Sequence, residues 1–139
     1  FPNSRITTVS RYTEAGKEVH GREPGSAMVV NFELDGQPFN ALNGGPQFKF
    51  SEAVSFQINC EDQGEIDHYW NALTAGGPVE AQQCGWLKDK YGLSWQVVPR
   101  NMGDFFKPGP DDGAGRAMNA MLQMKKIDIA TLQRAREGK

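Results

Sequence analysis

Few side chains in this chain belong to the types that make and break bonds. The 139 residues include two histidines and two cysteines. Cys60 and Cys84 stand 24 positions apart, with no C-x-x-C and no histidine at ligand spacing, so neither a redox motif nor a zinc site is signalled. His20 falls in a glycine-rich loop. His68 lies about 200° around its helix from Ile66, on the solvent side. With only these imidazoles available, nothing in the sequence identifies a nucleophile of Ser-His-Asp or Cys-His type. The chemistry that the spacing does favour is hydrogen bonding by neutral groups. In Val54-Ser55-Phe56-Gln57-Ile58-Asn59-Cys60, apolar and polar residues alternate strictly, which puts Ser55, Gln57 and Asn59 on one face and Val54, Phe56, Ile58 and Cys60 on the other. Such a strand has helices behind it and something wet or polar in front. The same alternation sets Ser94, Gln96 and Val98 opposite Leu93, Trp95 and Val97, so Trp95 is expected to pack against a helix.

The elements that must position these groups can be read in order. Arg5–Tyr12 reads as a half-buried strand with Ile6, Val9 and several hydroxyl residues. The loop from Thr13 to Gly25, with three glycines and a proline, has the length and composition of a flap. Ala27–Leu34 and Gln37–Leu42 flank Asp35-Gly36, a pair suited to the positive φ angles of a type I′ hairpin turn. Asn43-Gly44-Gly45-Pro46 ends that hairpin. After the 54–60 strand, Asp62 caps a helix with Glu65 in capping-box position. Ile66, Tyr69, Trp70 and Leu73 form its buried stripe, and Gly76-Gly77-Pro78 stops it. Val79–Cys84, Gly85–Asp89 and Leu93–Val98 read as three short strands, the last two turning at Asp89–Gly92. Arg100–Gly113 is an irregular connector. Two short helices close the chain: one carries an Ala117, Ala120, Met121, Met124 stripe, the other is capped by Asp128 with Ile127 and Leu132 as a hydrophobic staple.

Composition bounds the class. At 15.4 kDa, 38% hydrophobic and 23% charged, the chain has the make-up of one globular domain. A net charge of −2 gives no electrostatic case for a nucleic-acid partner. No apolar run approaches the roughly 20 residues of a membrane helix. From Arg116 onward six Lys or Arg face only Asp128 and Glu137, the pattern of a solvated helix surface. Unpaired thiols point to a reducing cytoplasm. The opening Phe1-Pro2-Asn3-Ser4 carries no initiator Met, charged segment or apolar run of a secretory signal.

The later segment is β-α-β-β-β and the earlier one β-β-β. Two βαβββ units would form a pseudo-symmetric sheet curling around a cavity, and the first lacks its opening βα. A strand and helix of roughly 25 residues are therefore expected ahead of Phe1.

The residues Phe32-Glu33-Leu34-Asp35-Gly36-Gln37-Pro38-Phe39, Asn43-Gly44-Gly45-Pro46 and, above all, Cys84-Gly85-Trp86-Leu87-Lys88-Asp89-Lys90-Tyr91-Gly92-Leu93-Ser94-Trp95-Gln96-Val97-Val98-Pro99 resemble the PhnB-like proteins. These are also labelled 3-demethylubiquinone methyltransferase-like, and they belong to the vicinal oxygen chelate superfamily with glyoxalase I, extradiol dioxygenases and bleomycin-resistance proteins. Ala117–Asp128 is similar to the tail of the same group. The resemblance implies an α+β fold of tandem βαβββ modules forming a curved mixed sheet around a cup, with C-terminal helices. The expected boundaries are 1–99 for that domain (module one 1–50, module two 51–99) and 100–139 for a connector and helical extension.

The superfamily's enzymes place a divalent metal in the cup on His, Glu or Gln side chains. Carried onto this chain, the ligand positions become Gln96, counted from the turn Gly92, with Ser55 and Asn43; a further one would lie in the missing opening strand. Neutral amides and a hydroxyl supply no charge to offset desolvating a dication. The expectation is therefore no metal and no cofactor. No glycine-rich strand-to-helix turn suited to an adenosyl cofactor is present either. The expected function is binding of a small molecule, neutral or weakly acidic, by Asn43, Ser55, Gln57, Trp86, Lys88 and Gln96. The expected assembly is a homodimer in the cytoplasm, with no nucleic-acid or membrane partner. The alternatives are a metal-dependent enzyme of glyoxalase or dioxygenase type and a non-catalytic interaction domain.

Overall fold

The computed structural model describes residues 1–139. It is an α+β chain with two three-stranded sheets and C-terminal helices, divided into the units Phe1–Lys49 and Phe50–Lys139.

The first unit is an antiparallel sheet of β1 (Arg5–Arg11), β2 (Ala27–Leu34) and β3 (Gln37–Leu42) in that order. Asp35 and Gly36 have φ of 49° and 76°, the pair of left-handed residues that a type I′ turn requires. That turn sets the β2–β3 register, with Leu34 opposite Gln37 and Phe32 opposite Phe39. Register separates the two faces. Ile6, Val9, Val30 and Phe32 share one, whereas the Arg5–Glu33 ion pair and the Asn31 to Thr8 hydrogen bond lie on the other. Ile6 and Val9 remain exposed.

The Thr13–Gly25 loop differs from a plain flap. It folds into a one-turn helix α1 (Lys17–His20) between Gly16 and Gly21, both left-handed. Its base is tied by Tyr12 N to Ser26 O at 2.9 Å and Gly25 N to Tyr12 O at 2.8 Å. The His20 ring lies 4.5 Å from the Tyr12 ring; its Nδ1 accepts from Arg22 N, and its Nε2 reaches Ala15 O.

The second unit pairs β4 (Ser55–Cys60) parallel to β6 (Ser94–Pro99), with β5 (Trp86–Lys88) antiparallel on the far side of β6. The parallel pairing needs a crossover, which α2 (Gln63–Thr74) supplies. Asp62 caps α2 by accepting from Glu65 N at 2.9 Å. The Glu65 carboxylate reaches one residue further back than a standard capping box, to Glu61 N at 2.7 Å. Ile66, Tyr69 and Trp70 are buried, and the sheet face they cover carries Ile58, Cys60, Leu87, Trp95 and Val97. Burying each large side chain contributes about 1.5–3 kcal/mol, so this layer is the unit's main source of stability.

Two expectations need correction. Val79–Cys84 is not a strand: Val79–Ala81 forms a 3-10 turn behind Pro78, whose fixed φ starts it. Cys84 and Gly85 are both left-handed, and Gln83 and Trp86 bond reciprocally across them, so the chain reverses before a ladder can extend. The Arg100–Gly113 connector is also not wholly irregular, because a 3-10 turn at Met102–Phe106 buries Phe105.

Helices α3 (Gly113–Leu122) and α4 (Ile129–Glu137) belong to the same core. Ile127 and Leu132 are both fully buried, as a hydrophobic staple demands. Gln63 stitches this region to α2, donating to Ile127 O and accepting from Ile129 N. Met124 O and Lys125 O take the amides of Cys84 and Gly85 at 2.8 and 2.7 Å, fixing the entry to β5. Gly85 is required there: at φ 84°, a Cβ would stand 3.0 Å from Val97 O and 3.1 Å from Ile127 Cγ1.

The cap of α4 gives a pH-dependent expectation. Asp128 accepts from Thr131 N at 2.6 Å, and bonds from the Thr131 amide and hydroxyl hold its carboxyl below the usual range. A depressed folded-state value stabilises the fold above the unfolded value of about 4 and loses that contribution as pH falls through the folded value. Asp128→Ala should therefore cost about 1 kcal/mol at neutral pH. Urea titrations of both proteins should show the gap closing toward acid.

Candidate functional site

The second unit's sheet has one closed face and one polar face, and register decides which residues occupy the polar one. Ser55 stands opposite Ser94 and Gln57 opposite Gln96 across the parallel pair. Across the antiparallel pair Trp86 stands opposite Gln96 and Lys88 opposite Ser94. Cross-strand partners project to the same side, so two rows form: Lys88, Ser94, Ser55 and Trp86, Gln96, Gln57. Asn59 and Val98 extend the face beyond them.

Hydrogen bonds within the face confirm the register. Gln96 Nε2 donates to Ser55 Oγ at 3.0 Å, and Gln57 Nε2 donates to Asn59 Oδ1 at 2.7 Å. Ser94 is buried, Gln96 is half-buried and Trp86 is 37% exposed, leaving part of an aromatic side chain open beside hydrogen-bonding groups. Lys88 is the one charged side chain on these strand positions. Its ammonium pairs with Glu52, and that bond, reinforced by the Glu52 backbone, holds the Glu52 carboxyl below the usual range.

Five of the six nominated residues, Ser55, Gln57, Trp86, Lys88 and Gln96, are thus brought onto one face. Trp86 and Lys88 sit within β5, inside the Gly85–Asp89 strand read from the sequence. Asn43 is placed differently. It lies in the first unit just past β3, where its amide N bonds to Met28 O, its Nδ2 to Ala27 O, and its carbonyl accepts the Tyr12 hydroxyl at 2.5 Å. Those bonds lock the end of the hairpin, and its side-chain donor is already engaged.

Two residues went unrecognised from the sequence. Glu52 precedes β4 in a stretch with no periodic pattern, and only the fold reveals it as the counter-ion of Lys88. Asp89 was read as a turn residue, but its carboxylate gathers Tyr91 N at 2.8 Å, Leu93 N at 3.1 Å and Trp95 Nε1 at 2.9 Å. It therefore holds the β5–β6 turn and anchors Trp95, which is 7% exposed and edge-on to Phe56, on the closed face.

The donor set does not fit a divalent metal. Gln96 and Ser55 are neutral and bonded to each other, and no three His, Cys, Asp or Glu side chains cluster anywhere in the chain. His68 is exposed beside Tyr69, off this face. The Cys60 thiol faces α2, and burial, with Glu65 and Asp62 adding to it, pushes it up to about 11, so it acts as a core residue and not a nucleophile. An adenosyl cofactor fits no better. At the junction of β4 and α2 the carboxylates of Asp62 and Glu65 take the amides of Glu65 and Glu61, placing negative charge where a cofactor's carboxylate would sit, and the turn has no glycine before Gly64.

The family described as 3-demethylubiquinone-9 3-methyltransferase matches residues 1–98. A PhnB protein from Bacillus cereus, described as a 3-demethylubiquinone-9 3-methyltransferase, is 32% identical, with a TM-score of 0.59 over 70% of this chain and 81% of its own. A protein from Staphylococcus aureus is 25% identical over 71% of this chain and 77% of its own, with a TM-score of 0.30. No curated protein matches. The chain belongs to the PhnB-like, 3-demethylubiquinone-9 3-methyltransferase-like family, a grouping consistent with the vicinal oxygen chelate superfamily.

Proposed function

We propose that the polar face of the β4–β6–β5 sheet binds a small hydrogen-bonding molecule without a metal. The observation that carries this reading is the alignment of Ser55, Gln57, Gln96, Trp86 and Lys88 in two adjacent rows, with α2 closing the opposite face. Methyl transfer, named in the description of the Bacillus cereus relative, gains no support from this chain's strand-to-helix junction. The reading includes a homodimer, supported by Ile6 and Val9 exposed on the apolar face of the first sheet. The sedimentation mass checks that part. It also includes a cytoplasmic location, supported by two free thiols.

A thermal-shift panel of neutral and weakly acidic compounds tests the reading. A ligand near 100 times its Kd contributes about 2.7 kcal/mol and so raises the Tm by several degrees. Gln96→Ala, which removes one hydrogen-bonding group, should weaken that ligand roughly tenfold. A panel with no hit, or a hit that Gln96→Ala and Ser55→Ala leave unchanged, contradicts the reading.

A further inference from the structure

The one cation on the polar face has an uneven partnership. The Lys88 side chain is 25% exposed and fixed on β5, whereas that of its partner Glu52 is 68% exposed and comes from the stretch ahead of β4. Exposed ion pairs contribute only about 0–1 kcal/mol, so the Glu52 carboxylate is readily displaced. Directly across from Lys88 stands Ser94, with Ser55 beyond it. Two residues along β5, about 7 Å away, stands Trp86 with its exposed indole. A molecule with a carboxylate at one end and a flat ring at the other matches this spacing: its anion replaces Glu52 on the ammonium, and its ring lies on the indole.

Building on the small-molecule reading above, we infer that the ligand is a planar aromatic monocarboxylate, and that Glu52 is an internal carboxylate competing with it for Lys88. The argument rests on three features: the sole cation of the face, its loosely held carboxylate partner, and an aromatic surface at ligand distance. An exposed glutamate is ionised throughout the neutral range, as an aromatic carboxylate is, so the two compete there on equal terms.

The experiment titrates benzoate, cinnamate and indole-3-acetate, each against its neutral primary amide, by calorimetry. Acids should bind about tenfold or more tighter than the matched amides. Lys88→Met should abolish that preference and Lys88→Arg should keep it. Glu52→Gln, on an exposed loop, should strengthen acid binding several-fold and leave amide binding unchanged. Should Lys88→Met fail to fold, Glu52→Gln decides the matter alone. Acids and amides binding equally, or Glu52→Gln without effect on the acids, overturns the anion inference while leaving the small-molecule reading in place. If neither acids nor amides bind, and the wider panel also gives no hit, both fail together.

Discussion

Leu132→Ala is expected to lower the stability of the second unit by about 2–5 kcal/mol, against a change within about 0.5 kcal/mol for Leu122→Ala. Both residues lie on C-terminal helices, but Leu132 is fully buried and Leu122 is 50% exposed. The difference arises because α4 is part of the scaffold beneath the polar face. Leu132 and Ile127 join the cluster formed by α2 and the closed side of the sheet, and the segment between α3 and α4 bonds directly to Cys84 and Gly85 at the start of β5. A cavity left by Leu132 therefore weakens the support of the strand that carries Trp86 and Lys88. Urea unfolding of the two variants measures it. Equal, small losses for both would show that the sheet does not lean on α4.

Asp89→Ala is the second large effect. Three donors converge on one carboxylate, and without it Trp95 Nε1 and the Leu93 amide, both in partly buried surroundings, lose their acceptor. Each unsatisfied donor costs about 1–3 kcal/mol where water cannot reach it, so a loss of roughly 2–4 kcal/mol is expected. Asp89→Asn should fall in between, because one amide oxygen cannot serve all three donors. Unfolding followed by tryptophan fluorescence reads both the stability and the changed setting of Trp95. A loss below about 0.5 kcal/mol for Asp89→Ala would mean that water replaces the carboxylate at no cost and that the turn is held by other contacts.

The parts of the fold that were legible in the sequence are those in which local chemistry and tertiary packing agree. The Asp35-Gly36 turn needs two left-handed residues and has them; α2 carries its cap and its stripe within twelve residues; Ile127 and Leu132 flank Asp128 at staple spacing. Alternation over Val54–Cys60 separates the closed face from the polar one, and the same pattern over Leu93–Val98 sends Trp95 to the core. Two kinds of feature escaped. The Val79–Cys84 segment looked extended because nothing local announces that Cys84 joins Gly85 in a left-handed reversal; that conformation is held by carbonyls of Met124 and Lys125, about forty residues away in sequence. Glu52 was invisible for a similar reason, since its role exists only once β5 is laid against β6. Asn43 is ambiguous in the other direction. A polar residue at a strand end reads equally as a ligand group or a hairpin lock, and the bonds to Ala27 and Met28 show the lock.

What the face can do chemically follows from what it lacks as much as what it carries. Neutral amides and hydroxyls orient a ligand by hydrogen bonds whose net worth is about 0.5–1.5 kcal/mol each, while one ammonium offers a stronger, charge-selective contact. On the proposed reading, affinity comes from several modest contacts acting together with the indole, and selectivity comes from Lys88.

The side-chain amide spectrum of ¹⁵N-labelled protein, titrated with a compound that raises the Tm, tests this most directly. The expected result is that the NH₂ signals of Gln57 and Gln96 shift together on binding while those of Gln63 and Gln133, in the helices, stay still. Binding that moves the helical amides and leaves Gln57 and Gln96 unchanged would place the ligand elsewhere and contradict the assignment.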